Sequence, residues 1–137
     1  MIKQLIRNKR HKEHTYITRW PIIKTPWFQV WIHKISADKV QFWHDHPYDA
    51  WSILLKGSYV EQLEFYIQGK TFHFEQEYKR FSINKMNGNN FHRVIPDCDC
   101  YTLFINKPWR KEWHFKVKGK LIDWREWLDT TVYKGGK

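Results

Sequence analysis

The sequence predicts an all-β domain, a sandwich or barrel of antiparallel strands, on three observations. Aromatic residues make up 18% of the 137, with nine Trp, nine Phe and seven Tyr. Such rings suit the pleated, half-buried surface of a sheet better than a helix. Short apolar stretches follow one another at close spacing, separated by Gly, Pro and Asn, the rhythm of a many-stranded β fold. The stretch from Val40 to His46 also alternates strictly, with Val40, Phe42, His44 and His46 on one side and Gln41, Trp43 and Asp45 on the other. The length fits one domain with its own core.

Residues 1–14 are polar and basic and read as an N-terminal arm, leaving 15–137 as the domain. Tyr16–Trp20 and Trp27–Ile35 are strands, kept apart by Pro21 and Pro26, which lack a donor for a ladder. Ser36–Lys39 turns into the His-x-His strand, which Pro47 ends. Residues 50–56 are apolar on both faces, as in a strand inside a barrel, and Gly57 marks a tight turn. From Ser58 to Ile67 the side chains of Tyr59, Glu61, Leu63, Phe65 and Ile67 share one face. Gly69 and Lys70 form a hairpin into Thr71–Phe74, and Glu75–Tyr78 reads as a charged turn. A strand over Lys79–Lys85 precedes the strong turn Met86–Asn90. Phe91–Ile95, Cys100–Ile105 and Glu112–Val117 are further strands. Leu121, Trp124 and Leu128 fall at helical spacing, predicting a short C-terminal helix, and Lys134–Lys137 reads as frayed.

Cys98 and Cys100 are too close to staple the fold, which suggests a reducing compartment. The first residues lack the apolar core of a signal peptide, and no apolar run approaches a membrane span. The expectation is a cytoplasmic protein. The 24 Lys and Arg against 14 Asp and Glu give a net charge of +10, which favours anionic partners. These basic residues are dispersed, with small clusters at Lys9–Lys12, Arg110–Lys111 and Lys116–Lys120. Dispersal ranks nucleic acid below a small anionic or polar ligand. There is no Gly-rich phosphate loop and no nucleophile elbow.

In a strand, residues i and i+2 share a face, so both imidazoles of His44 and His46 follow Phe42 to the apolar side. Two buried imidazoles need a hydrogen-bond network or a divalent metal to satisfy them. The pattern alone leaves both readings open. A third imidazole, His92, opens another strand just after the Asn87–Asn90 turn, with Val94 on its face.

His-x-His, a hairpin region and then a lone His after a turn resemble the cupin superfamily. The first cupin motif is Gly-x5-His-x-His-x3/4-Glu-x6-Gly, and His44, His46 and Gly57 keep its spacing. The second motif, Pro-x-Gly-x-x-His-x3-Asn, survives as a turn followed by His92, with Asn87, Asn89 and Pro96 at its other positions. Ala50 stands where the motif has glutamate. A closer likeness joins His33-Lys34-Ile35, the run from His44 to Glu61, His92-Arg93-Val94, Thr102–Ile105, Lys107-Pro108 through Phe115, and Trp124–Trp127. It is to small single-domain cupin-like proteins of bacteria and phages that carry His-Asp-His-Pro.

The resemblance implies a double-stranded β-helix, or jelly roll, with His44, His46 and His92 as metal ligands for Fe(II), Mn, Ni or Zn. Asp49 or Glu61 could replace the missing glutamate, or the site could hold three His with water or substrate completing it. The function implied is an oxygenase- or isomerase-type enzyme acting on a small polar or anionic metabolite. The same residues admit a metal-free cupin that binds or isomerises a sugar nucleotide. In that reading His44 or His92 is the base, Tyr59 an acid, and Arg80 or Arg93 the phosphate holder. A non-enzymatic nucleotide or nucleic-acid module is the third reading. Catalytic candidates are therefore His44, His92, Tyr59 and Glu61. Trp31, Trp43 and Trp51 could line a stacking pocket, and Asp45 and Arg93 point away from the ligands. His11, His14, His73 and His114 read as surface or structural, Cys98-x-Cys100 is a weak metal signal, and cupin analogy suggests a homodimer.

Overall fold

A computed structural model describes residues 3–8, 15–37 and 41–133. The expectations for Val40, His11, His14 and Lys134–Lys137 lie outside them. In chain order the elements are β1 (Lys3–Asn8), β2 (Thr15–Lys24), β3 (Gln29–Ile35), β4 (Trp43–His44), β5 (Ala50–Lys56), β6 (Tyr59–Ile67) and β7 (Lys70–Tyr78). They continue with β8 (Ile83–Met86), β9 (Phe91–Pro96), β10 (Cys100–Asn106), β11 (His114–Val117), β12 (Lys120–Asp123), α1 (Trp124–Trp127) and β13 (Leu128–Tyr133).

The strands form two antiparallel sheets. One has the order β13-β1-β2-β3-β10-β5-β8 and the other β12-β11-β4-β9-β6-β7. Alternation packs one face of each strand inward, as the burial of β10 shows, where every second residue from Cys100 to Asn106 is buried. Ile35, Leu54, Tyr59, Val94 and Cys100 form one core cluster, and Trp31, Tyr48, Ala50 and Phe104 another. A third joins Ile6, Phe115 and Leu128, with Trp113, Trp124 and Trp127 packed against it.

Four expectations are corrected. Residues 3–8 are not an arm but β1, laddered between β2 and β13; Ile6 supplies the apolar side that buries the strand. Pro21 does not end its strand, because β2 bulges between Pro21 and Ile23 and so accommodates the missing donor. Glu75–Tyr78 is no turn; β7 runs straight through it opposite Tyr59–Gln62 at the sheet edge, where its charges stay solvated. The turn lies at Lys79–Ser82 instead. The C-terminal helix is a single turn, capped by Asp123 accepting from the Arg125 amide, because Lys120–Asp123 is drawn into pairing with β11.

Two glycines fix the loops around the interior. Gly57 has φ +94°, and a Cβ there would lie 2.8 Å from Cys100 Sγ. At Gly88 a Cβ would meet the carbonyl oxygens of Tyr48 at 2.6 Å and His46 at 2.8 Å. The Asn87–Asn90 turn therefore lies directly on the segment that carries His46. Its contacts are completed by the His46 amide donating to Gly88 O and the Gly88 amide donating to Asp49.

Candidate metal centre

His44 lies on β4 directly opposite His92 on β9, and His46 follows on the same face after the strand has ended. All three are buried, at 7%, 3% and 7% exposure for His44, His92 and His46. Each offers a ring nitrogen within 4.8 Å of the others'. Ring centroids are 4.6 Å apart for His44 and His92, 4.8 Å for His46 and His92, and 5.1 Å for His44 and His46.

The outer ring nitrogens of two of them are fixed. Nδ1 of His44 donates to the Phe42 carbonyl at 2.7 Å. Nδ1 of His92 lies 2.6 Å from a carboxylate oxygen of Glu61. A carboxylate accepts, so Nδ1 carries the proton and Nε2 presents a lone pair. This is how ligand histidines are oriented in metal sites, by a carbonyl or carboxylate behind the ring. His46 Nε2 lies 2.7 Å from His92 Nε2, so the two share one proton, and a divalent cation can take that proton's place. His46 Nδ1 is buried without a partner. The donor set fits a borderline transition metal such as Fe(II), Mn, Ni or Zn.

Burial pushes the His44 pKa down to about 3, reinforced by neighbouring His92 and opposed by the Phe42 carbonyl. His46 is also pushed well below its ordinary value, first by burial and then by His92 and His44. Neutral imidazole is the form that ligates. A depressed folded-state pKa costs nothing above the unfolded value near 6.5 and favours unfolding below it. Chelated protein should therefore lose stability steadily as pH falls from about 6.5 toward 4.5, before most carboxylates titrate. A urea midpoint that stayed flat across that window would contradict the buried neutral imidazoles.

Glu61 is 1% exposed. The oxygen that faces His92 also accepts from Asn84 Nδ2 at 3.0 Å, and Asn84 donates to Tyr59 Oη at 3.3 Å and accepts from Tyr78 at 3.2 Å. Glu61 thus stands behind a histidine, held by a network. Burial raises the Tyr59 pKa far above its ordinary value, which keeps the phenol protonated and makes it a poor proton donor near neutrality. Asp49, the other acid considered, is half-exposed and pairs with Arg110 at 2.8 Å. Ala50 packs among Trp31, Tyr48 and Phe104, so that position brings no carboxylate inward.

The remaining candidates separate. Trp31 is in the core with its indole donating to Asn106 at 3.0 Å, Trp43 lies under Arg93, and Trp51 is 45% exposed; they share no pocket. Arg93 donates to Gln62 and Arg80 to the Leu55 carbonyl, both outside the cavity. Asp45 points away from the cavity, as its alternation requires, but is buried, clamped by Lys111 and by the His114 amide and ring. His73 pairs with Glu64. Cys98 and Cys100 are free thiols, and Cys100 is buried beneath Gly57.

Sequence reasoning missed Asn84 and Arg19, and met His33 and Thr102 only within the resemblance. Arg19, His33 and Thr102 line the same cavity as the three histidines. Its free space for water-sized molecules is about 60 Å³.

Solved structures share this two-sheet architecture. KdgF from Halomonas sp. superimposes with a TM-score of 0.54 at 16% identity, covering 69% of this chain and 81% of that one. An RmlC-like cupin family protein with a double-stranded β-helix fold from Methanocaldococcus jannaschii gives 0.53 at 15% identity, covering 67% and 80%. The fold is that of the cupins. A third match is the FeII form of HppE, with a TM-score of 0.55 at 11% identity, covering 67% of this chain and 51% of that one. No family model and no curated protein matches the sequence. Among the described residues, no helix is long and apolar enough to cross a membrane.

Proposed function

We propose that this cupin is a metal-dependent enzyme in which His44, His46 and His92 hold one divalent transition metal and which acts on a small polar or anionic metabolite. The observation that carries it is the convergence of three buried imidazoles, two of them with Nδ1 fixed so that Nε2 is left to ligate. A metal held by three imidazoles keeps open positions, where it supplies Lewis-acid or redox chemistry to a bound substrate. Glu61 orients His92, Asn84 holds Glu61, and Tyr59 belongs to that network. The structure of HppE in its FeII form is a fold-level parallel for the metal.

The size of the interior favours a small metabolite. A cavity needs roughly 10–15 Å³ of such space for each water, so 60 Å³ corresponds to about four to six waters. A ligand of a similar number of heavy atoms fits; a sugar nucleotide does not.

The test is metal content by plasma mass spectrometry on tag-free protein beside a His44→Ala/His92→Ala double variant. Wild type should retain close to one ion per chain and the variant none. No uptake after incubation with each of Fe(II), Mn, Ni and Zn, or equal uptake by the variant, would refute the reading.

A second reading has one feature in its favour. A groove of about 550 Å³ lies apart from the three histidines, between Trp27, Phe28, Trp51, Lys85 and Lys107, with Trp27 76% exposed. Exposed rings beside lysines suit a stacked, anionic ligand such as a nucleotide. Its signature is nucleotide affinity that falls steeply with salt and disappears in Trp27→Ala.

A further inference from the structure

We infer that the cavity wall facing the three histidines is a carboxylate-binding row, Arg19–His33–Thr102, and that the metabolite is a small carboxylic acid held between this row and the imidazoles. The inference rests on the proposed metal site for the far end of the ligand, but the row itself stands on separate observations.

The row is written in the register of the large sheet. Arg19 on β2 is the cross-strand partner of His33 on β3, and His33 is the partner of Thr102 on β10. Side chains directly opposite one another in antiparallel strands have Cβ atoms roughly 4.5–5.5 Å apart. All three line the cavity, so they form one polar stripe across the inner face of that sheet. The histidines come from the other sheet and the loop after β4, and line the same cavity from the opposite side.

Two groups of this row are polar and deeply buried without a partner. Thr102 is 1% exposed and His33 5%, yet Thr102 Oγ1 and His33 Nε2 make no hydrogen bond. Polar atoms so placed cost stability unless something satisfies them. The His33 ring is stacked on Phe104 with centroids 4.4 Å apart and planes 16° from parallel, which fixes where Nε2 aims. The Arg19 guanidinium lies over the Trp31 ring at 4.2 Å and donates to Tyr48, so the cation is also positioned. A guanidinium flanked by a hydroxyl and an imidazole N–H is a donor set for a carboxylate. The free space of about 60 Å³ limits that acid to about four to six heavy atoms, at roughly 10–15 Å³ for each water-sized group. A two- or three-carbon hydroxy or keto acid meets both limits.

The probe is sodium glycolate, titrated by tryptophan fluorescence into chelated protein and into protein loaded with Mn(II). Glycolamide, its neutral analogue, and sodium chloride at matched ionic strength are the controls. Glycolate should bind saturably and glycolamide at least about tenfold more weakly, since hydrogen bonds to a carboxylate are stronger than those to a neutral amide. Thr102→Val keeps the shape of the wall and should weaken glycolate several-fold; Arg19→Gln should weaken it further. If Arg19→Gln fails to fold, Thr102→Val and Arg19→Lys decide. Glycolamide binding as tightly as glycolate, or wild-type affinity in Thr102→Val, overturns the inference. Manganese uptake with no preference for glycolate sinks the row and leaves the metal site standing. Glycolate binding that needs Arg19 in a protein that takes up no ion does the reverse.

Discussion

Glu61→Ala should lower the free energy of unfolding by about 2–6 kcal/mol, at about 1–3 kcal/mol for each of the two buried donors it leaves without an acceptor. The carboxylate is almost fully enclosed and accepts from both His92 and Asn84. Its loss leaves an imidazole N–H and an amide N–H without acceptors inside the sandwich. Glu61→Gln separates packing from orientation. It preserves volume and a carbonyl acceptor, so its urea midpoint should fall much less. Its metal affinity should nonetheless drop by about 10–100-fold, the usual effect of changing the group behind a ligand histidine. Equilibrium unfolding and competitive metal titration of both variants check this. Equal metal affinity in wild type and Glu61→Gln would mean that Glu61 serves only the core.

Gly88→Ala should be nearly as damaging and, unlike most glycine substitutions, should act on the site. The added methyl would lie 2.6 Å from the Tyr48 carbonyl oxygen and 2.8 Å from that of His46. These are backbone atoms, and they cannot swing aside as the tip of a side chain can. Either the turn or the 46–48 segment must shift, at a cost of about 1–3 kcal/mol or more for overpacking. A shift of that segment carries His46 away from His92. The expected result is a lower melting temperature together with weakened metal binding. Gly57→Ala, whose methyl would meet the Cys100 sulfur instead, should lose stability while keeping the ion. Metal affinity unchanged in Gly88→Ala would separate the turn from the centre.

How much of this was legible in the sequence depended on whether the controlling contact was local. The three histidines were legible because a strand puts i and i+2 on one face and because the turn before His92 is strongly marked. The absence of a carboxylate at Ala50 followed from counting. Glu61 stood out as the one acid on the apolar face of its strand, but its service to His92 depends on cross-strand register. Leu63 pairs with His92 and Glu61 with Val94, which places Glu61 diagonally beside the ring. Arg19 escaped notice, and His33 and Thr102 entered only through the resemblance, for the same reason: the three lie on strands far apart in sequence and become neighbours only through the ladder. Asp45 was placed on the outward side by alternation, and so it is. What buries it is the chain around Lys111–His114 folding over that side, which no period-2 pattern announces. The basic start of the chain misled because a strand flanked on both sides needs only one apolar side chain facing in, and Ile6 suffices.

The shortness of β4 has a consequence of its own. Only Trp43 and His44 are laddered, both to β11 and His44 alone also to β9. Upstream the main chain gives way to a side chain, with Gln41 accepting from the Val94 amide. Two of the three proposed ligands thus sit on or just after a two-residue strand, in a fold whose other strands run from four to ten residues. Such a segment opens locally at a free energy well below that of global unfolding. Part of the binding energy of an ion held there would be spent ordering it, so its apparent affinity would understate the intrinsic grip of the imidazoles. Release of the ion need not wait for the barrel to come apart. Slowed amide exchange at residues 43–46 would report its arrival more sensitively than a melting curve, which reads the sandwich as a whole.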